Sequence, residues 1–262
     1  MQTSADLVQS AWIAFSLPLV LLLLFAEIGF RLGLRVHRDD HHKQTLGSIQ
    51  GAILGLLGLL LGFTFAMSAG RFDLRRELVL KEANAIGTTY LRASLLPDAH
   101  VKPVEDLLRG YVDLRLEYYP KVTDPAAFAS FLAKSAAIQK ELWRHATEAS
   151  REAPTPITAT FVNTLNDTID TEAERIEAGR ARIPAAIWIL LMTVAAFGCL
   201  TTSYVSGEEG SRSAFSGLVL PMLVAIVLVL IFDIANPHKG FIGISQQPLI
   251  DLQQSIASPP AR

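Results

Sequence analysis

Four hydrophobic segments, grouped as a tight pair, a long charged middle and a second tight pair, constrain this chain more than any motif in it. They fall at about 12–30, 46–69, 183–204 and 215–234. Each has a length of about 20 residues, which at about 1.5 Å per helical residue crosses a hydrocarbon core of about 30 Å. No comparable stretch lies between Arg71 and Arg182. The expected fold is all-α: a polytopic membrane protein with four transmembrane helices and a helical soluble domain between spans two and three. The expected divisions are a transmembrane pair over 1–70, a soluble domain over 71–182, a second pair over 183–235 and a soluble tail over 236–262.

Charge follows the same division. Residues 71–183 hold 16 of the 23 Lys+Arg and 17 of the 25 Asp+Glu, the makeup of a water-soluble helical domain. The membrane part is too short for the many spans and internal repeats of a secondary transporter. Four helices leave little room for a private pore, so conduction by such a chain implies an oligomer. A net charge of −2 without a basic run gives no case for a nucleic-acid partner. Cys199, the single cysteine, sits inside the third span and reads as a small packing residue. The first span reads as a retained anchor, because Arg31 is the first basic residue and no positive region precedes the apolar stretch.

The second span has the clearest pattern. Gly47, Gly51, Gly55, Gly58 and Gly62 recur at spacings of 4, 4, 3 and 4, which puts them on one side of a helix. Each glycine lowers helix propensity by about 1 kcal/mol relative to alanine, so five in one span point to close approach by another helix. The other side carries Ile53, Leu57, Leu60, Thr64 and Ser68. Lining of a central axis by Leu57, Leu60, Thr64 and Ser68, with Arg71 and Arg75 as a positive rim, is one expectation for that side. Contact with lipid or a neighbouring helix is the other.

No proline interrupts the chain from the second span to Pro97, so one helix over about 46–95 is expected. Phe72, Val79, Ala83, Ile86 and Tyr90 form its apolar stripe, and Glu82 either bonds across helices or sits in solvent beside Lys81. Further helices are expected at about 101–119, from Pro125 to about Ala149 and from Ile157 toward the third span, with Pro184 at the join. Trp143, far from any span, reads as core or subunit contact. Pro248 starts a last short amphipathic helix.

Catalytic signatures are missing: there is no phosphate-binding glycine loop, nucleophile elbow or zinc-protease helix. No catalytic residue, cofactor or metal is therefore expected. His100, His145 and His238 stand alone in sequence, and Asp39-Asp40-His41-His42 reads as a polar loop. The acidic run Asp167, Asp170, Glu172, Glu174, Glu177 reads as a solvated face. Glu27 is expected to snorkel or to pair with Arg31 one turn on. Four spans place both termini and the middle domain on one side. Five basic residues in the two short loops against eight on the other side favour that side as cytoplasmic.

The block Gly55-Leu56-Leu57-Gly58-Leu59-Leu60-Leu61-Gly62-Phe63-Thr64-Phe65, with Arg71-Phe72-Asp73-Leu74-Arg75-Arg76 and Glu82-Ala83-Asn84-Ala85-Ile86-Gly87-Thr88, resembles a bacterial membrane family called bestrophin-like. Tyr90-Leu91-Arg92, Tyr111-Val112-Asp113-Leu114-Arg115 and Ser245-Gln246-Gln247-Pro248-Leu249 extend the resemblance over nearly the whole chain. It implies a homo-oligomeric, pentameric channel with a pore lined by the second span, cytosolic termini, and ions and membrane lipid as its partners. The chain departs from true bestrophins in a glycine-rich second span without proline and in lacking their acidic calcium clasp. The function expected is an oligomeric, channel-like protein of the bacterial inner membrane. The alternative is a noncatalytic scaffold or sensor that docks a protein partner through Phe128, Phe131 or Trp143.

Overall fold

The structure, a computed structural model, describes residues 4–35, 40–119, 124–237 and 242–257; the side chains of 4–14, 40–44 and 215 lie outside the description. The described elements are α1 (Ser4–Gly33), α2 (Asp40–Ala93), α3 (Asp98–Tyr118), α4 (Pro125–Glu152), α5 (Pro156–Arg180), α6 (Ala185–Glu208), a π-helical turn (Phe215–Val219), α7 (Leu220–Ala235) and α8 (Gln247–Ala257). The fold is all-α, with four stretches long and apolar enough to cross a membrane: Phe15–Gly33, Thr45–Ala93, Pro156–Glu208 and Ser216–Ala235.

Local chemistry explains most boundaries. Asp124 caps α4 by accepting the Ala126 N–H at 2.9 Å, with Pro125 in the first turn. Thr155 caps α5 in the same way, ahead of Pro156. The join between α5 and α6 is broken rather than continuous. Pro184 has no N–H to donate and adopts an extended ψ of 140° before α6 begins. At the other end, α2 starts at Asp40, inside the stretch expected as a turn; an acidic first residue suits a helix N-terminus. The π turn is not legible from apolar periodicity. Pro221 cannot close an α-helical bond back to Gly217, and Ser203 donates to the Ser216 carbonyl at 3.1 Å.

The chain divides into two compact units, one of residues 2–72 with 182–243 and one of 73–181 with 244–262. In the first, Leu22 and Ala26 of α1, Leu57 of α2, Leu191, Ala195 and Cys199 of α6, and Ala225 and Leu228 of α7 form the core. The closest helix contact there is between α1 and α6. A Cβ added at Gly29 would collide with the Leu200 carbonyl, at Gly33 with that of Tyr204, and at Gly207 with that of Phe30. Glu27 accepts from Arg31 at 2.8 Å, as expected, and also from Arg212 at 2.6 Å.

In the second unit Val79, Ala83, Ile86 and Tyr90 of α2 are buried as their spacing predicts, among Val104, Leu108 and Tyr111 of α3, Leu142 of α4 and Phe161 and Leu165 of α5. Thr89 ties two helices, donating to or accepting from Thr168 Oγ1 at 2.9 Å and reaching the Thr164 carbonyl at 2.9 Å. The last helix belongs to this unit. Leu249 of α8 is fully buried, Tyr119 donates to the Ile244 carbonyl at 2.7 Å, and Arg109 to that of Ile256 at 2.9 Å.

A side chain at Gly207 has backbone, not a movable side chain, in its way. Gly207→Ala is expected to lower the stability of the detergent-purified protein by about 1–3 kcal/mol, the cost of overpacking. Gly179→Ala, at an exposed position with nothing among the described residues within 4 Å of the added Cβ, serves as the control in the same thermal-unfolding series.

Candidate functional site

Two faces of α2 are treated differently by the fold. Leu57 is 4% exposed and packs in the core of its own protomer. Thr64 and Ser68 are buried, and each hydroxyl donates to the carbonyl one turn back, of Leu60 and Thr64, at 2.8 Å. Leu60 is half-buried against the same core. Arg71 is half-buried, with Nη1 enclosed and lacking a hydrogen-bond partner among the described residues. Arg75 is buried and donates to the carbonyls of Ala178 at 2.9 Å and Ala181 at 2.6 Å. Those contacts close the open end of α5, whose last carbonyls have no helical N–H to bind. The residues expected to surround an axis are thus largely engaged within the protomer.

The glycine face is open instead. Among the described residues, a Cβ built at Gly47, Gly51, Gly55, Gly58 or Gly62 meets no atom within 4 Å. Leu56, Leu59 and Phe63 beside it are exposed. Among the described residues, the glycines that let the backbone of another helix approach closely are Gly29, Gly33 and Gly207. Their spacing in sequence gave no such signal, since Gly29 and Gly33 form a single pair and Gly207 stands in another span.

The strongest electrostatic feature is a buried network in the unit of residues 73–181 and 244–262. Glu82 of α2 is 0% exposed and lies between two guanidinium groups: Arg115 Nη2 of α3 at 2.8 Å from Oε1, and Arg175 of α5, which donates to Oε2. Arg175 also donates to Gln246, whose amide donates to the Ile244 carbonyl at 3.2 Å. Glu172, expected on a solvated face, is buried. It accepts from Ser135 at 2.7 Å and from Tyr111 and Gln139, with Arg115 at 4.0 Å. Two carboxylates and two guanidinium groups balance in charge. Lys81, next to Glu82, turns outward to an exposed pair with Glu174 at 2.5 Å.

Burial, together with the carboxylates of Glu82 and Glu172, holds the Tyr111 phenol well above its ordinary value of 10.0, so it is the donor toward Glu172. Burial opposes the charge on Arg115, but Glu82, Tyr111 and Glu172 outweigh it and hold the guanidinium above its usual range. Arg115 also covers the Phe131 ring at 4.9 Å, and Tyr118 stacks on that ring at 4.3 Å. Phe131 is consequently buried, whereas Trp143 is 43% exposed.

The histidines do not all stand alone. His100 and His145 meet with their Nδ1 atoms 2.9 Å apart, and Glu148 lies beside them. His238 and the polar stretch Asp39–His42 fall on positions or side chains outside the description. A cavity of about 620 Å³ in the unit of spans lies between α1 and the π turn, lined by Val20, Leu24 and Leu218, with Glu27 and Arg212 at its edge.

The bestrophin-like domain matches residues 17–249, most of the chain, and the protein belongs to the bestrophin-like family. Its fold is that of a bacterial bestrophin homolog from Klebsiella pneumoniae. One variant of that protein aligns with a TM-score of 0.65 at 16% identity, over 92% of this chain and 97% of that one. A second aligns with a TM-score of 0.60 at 15% identity, over 94% and 99%. No protein of curated function matches. Family and fold together define a bestrophin-like protein with four stretches long and apolar enough to cross a membrane.

Removing Glu82 leaves two guanidinium groups in a site closed to water. Glu82→Ala is expected to cost about 3–5 kcal/mol, against about 0–1 kcal/mol for Lys81→Ala at the exposed pair, in denaturant unfolding of the full chain. The raised phenol sets an alkaline limit. An acid whose folded pKa is raised contributes stability that is whole below its unfolded value, here 10.0, and lost as pH rises through the folded one. Stability should fall above about pH 10, and Tyr111→Phe should reduce that slope while costing about 1–3 kcal/mol at neutral pH. Tyr118 and Tyr119, also raised by burial, retain their share of the slope.

Proposed function

We propose that this chain is one subunit of a homo-oligomeric ion channel of the bacterial inner membrane, in which copies of α2 surround a central axis and meet through their glycine face. The observation that carries the reading is that, among the described residues, no atom lies within 4 Å of a Cβ built on this face of five glycines. Glycines that weaken a helix by about 1 kcal/mol each, and receive no packing from their own chain, call for contact from outside it. Membership of the bestrophin-like family supports the same reading. A four-span protomer has too few helices to enclose a pathway alone.

On this reading Leu57, Thr64, Ser68 and Arg75 serve the interior of the protomer. Leu60 and Arg71, only half-buried, lie at the margin of the axis, with Arg71 as the candidate for a positive rim. The subunit number proposed is five, as the family resemblance implies. The domain of residues 73–181 and both termini are proposed to be cytoplasmic, on the balance of basic residues near the span ends.

A scaffold role would use apolar surface at Phe128, Phe131 and Trp143. Phe131 lies under Tyr118 and Arg115, which leaves only Trp143 widely open, so this reading has less support.

The test joins assembly to conduction. The purified protein should run as a pentamer by native mass and carry current in planar bilayers under K⁺, Na⁺ and Cl⁻ gradients. Gly55→Leu should shift it to smaller species and abolish current, with the α-helical signal unchanged. An oligomer that is silent across voltage and ion type, or a Gly55→Leu protein that assembles and conducts normally, would overturn the proposal.

A further inference from the structure

His100 lies in the first turn of α3 and His145 near the end of α4, 45 residues later. Contact between the two at one end, and between Tyr118 and Phe128 at the other, makes α3 and α4 an antiparallel hairpin. The imidazoles face each other through their Nδ1 atoms at 2.9 Å. Glu148 is one turn beyond His145 on the same helix. Ligand atoms of His100, His145 and Glu148 all lie within 4.8 Å of one another.

The hydrogen bonds around the pair fix how its protons are arranged. Arg144 Nη2 lies 3.1 Å from His145 Nε2 and can only donate, so that nitrogen accepts and Nδ1 carries the proton. His145 Nδ1–H then donates to His100 Nδ1, and His100 Nε2–H faces Glu152 Oε2 at 3.4 Å. Two lone-pair directions therefore converge on one point, where a single proton now sits between two nitrogens.

We propose that this point is a divalent-cation site of the zinc class, with His100 Nδ1, His145 Nδ1 and a Glu148 carboxylate oxygen as ligands and a water in the fourth position. Two imidazole nitrogens, each about 2.0–2.1 Å from a tetrahedral zinc, stand about 3.3 Å apart, so the pair needs to open by only a few tenths of an ångström. Two imidazoles and one carboxylate are a borderline donor set, suited to zinc rather than to calcium or magnesium. Glu152 on the far nitrogen of His100 supplies the carboxylate that orients a metal-bound histidine. Burial, with Arg144 and His100 nearby, holds His145 below its ordinary value and so in the neutral form that binds metal. Binding requires the His145 proton to shift from Nδ1 to Nε2 and Arg144 to swing aside. Arg144 is half exposed and has Glu141 at 2.9 Å as a second partner when it releases Glu148, now at 2.8 Å.

The experiment uses the full-length protein in detergent, stripped with chelator and titrated with Zn²⁺ alone, read by calorimetry and by elemental analysis after desalting. The expected result is one tightly held zinc per chain. His145→Asn should abolish it, Glu152→Gln should weaken it roughly tenfold, and Arg144→Gln should tighten it by freeing Glu148. Glu148→Gln and Arg144→Gln alter exposed side chains, so they test the site even where His145→Asn fails to fold. Absence of bound zinc in the unsubstituted protein would overturn the site. So would zinc that survives both His100→Asn and His145→Asn but is lost when His41 and His42 are replaced.

Discussion

A carboxylate taken fully out of water must be met by positive charge or lose its own, and Glu82 is met twice. Its partners come from different parts of the chain, Arg115 on α3 and Arg175 on α5, and Arg175 passes the connection to Gln246 ahead of α8. Glu172 extends the set to Ser135 and Gln139 on α4 and to Tyr111 on α3. Helices α2, α3, α4 and α5, with Gln246 just ahead of α8, thus contribute polar groups to one network. Apolar surfaces slide past one another at small cost, but ionic hydrogen bonds of this kind accept few alternative registers. The network is better understood as fixing which helix faces meet than as a large net source of stability, because desolvating four charges offsets much of their attraction.

Much of this architecture is legible in the sequence because bilayers and prolines leave strong marks. The four apolar segments, the caps at Asp124 and Thr155 and the buried stripe from Val79 to Tyr90 all follow from local chemistry. What escaped is pairing at long range. Glu172 sits in a run of acids whose mixed spacing resembles a solvated face, and nothing local marks it as the member turned inward. Glu82 was readable as a residue that either crosses to another helix or stays in water, and only the approach of Arg115 and Arg175, 33 and 93 residues away, decides between them. His100 and His145 carry no motif spacing because a hairpin, not a helical turn, brings them together.

The glycines show the same limit from another side. A regular stripe of five is conspicuous, and an isolated glycine is not. Yet in the protomer Gly29, Gly33 and Gly207 admit neighbouring carbonyls where any Cβ would clash, while a Cβ on the stripe would meet none of the described residues within 4 Å. Periodicity reports that one face of a helix is uniform. It does not report whether the partner for that face belongs to the same chain.

That distinction bears on how α2 divides its surface. The side that carries Leu57, Thr64 and Ser68 is held by the protomer, and each of the two hydroxyls spends its one O–H on a carbonyl of its own helix, so neither has a donor left for an anion. The glycine side has the opposite character: backbone lies near the surface, no side chain covers it, and Leu56, Leu59 and Phe63 flank it. In a hydrocarbon medium a smooth apolar face of this kind gains nothing from lipid that it would not gain from protein, so its association depends on close van der Waals fit. Small residues provide that fit only to a matching surface. In a ring of five the contact is head-to-tail, so the stripe meets a different face of the neighbouring copy, and each subunit presents that face at the same depth in the membrane.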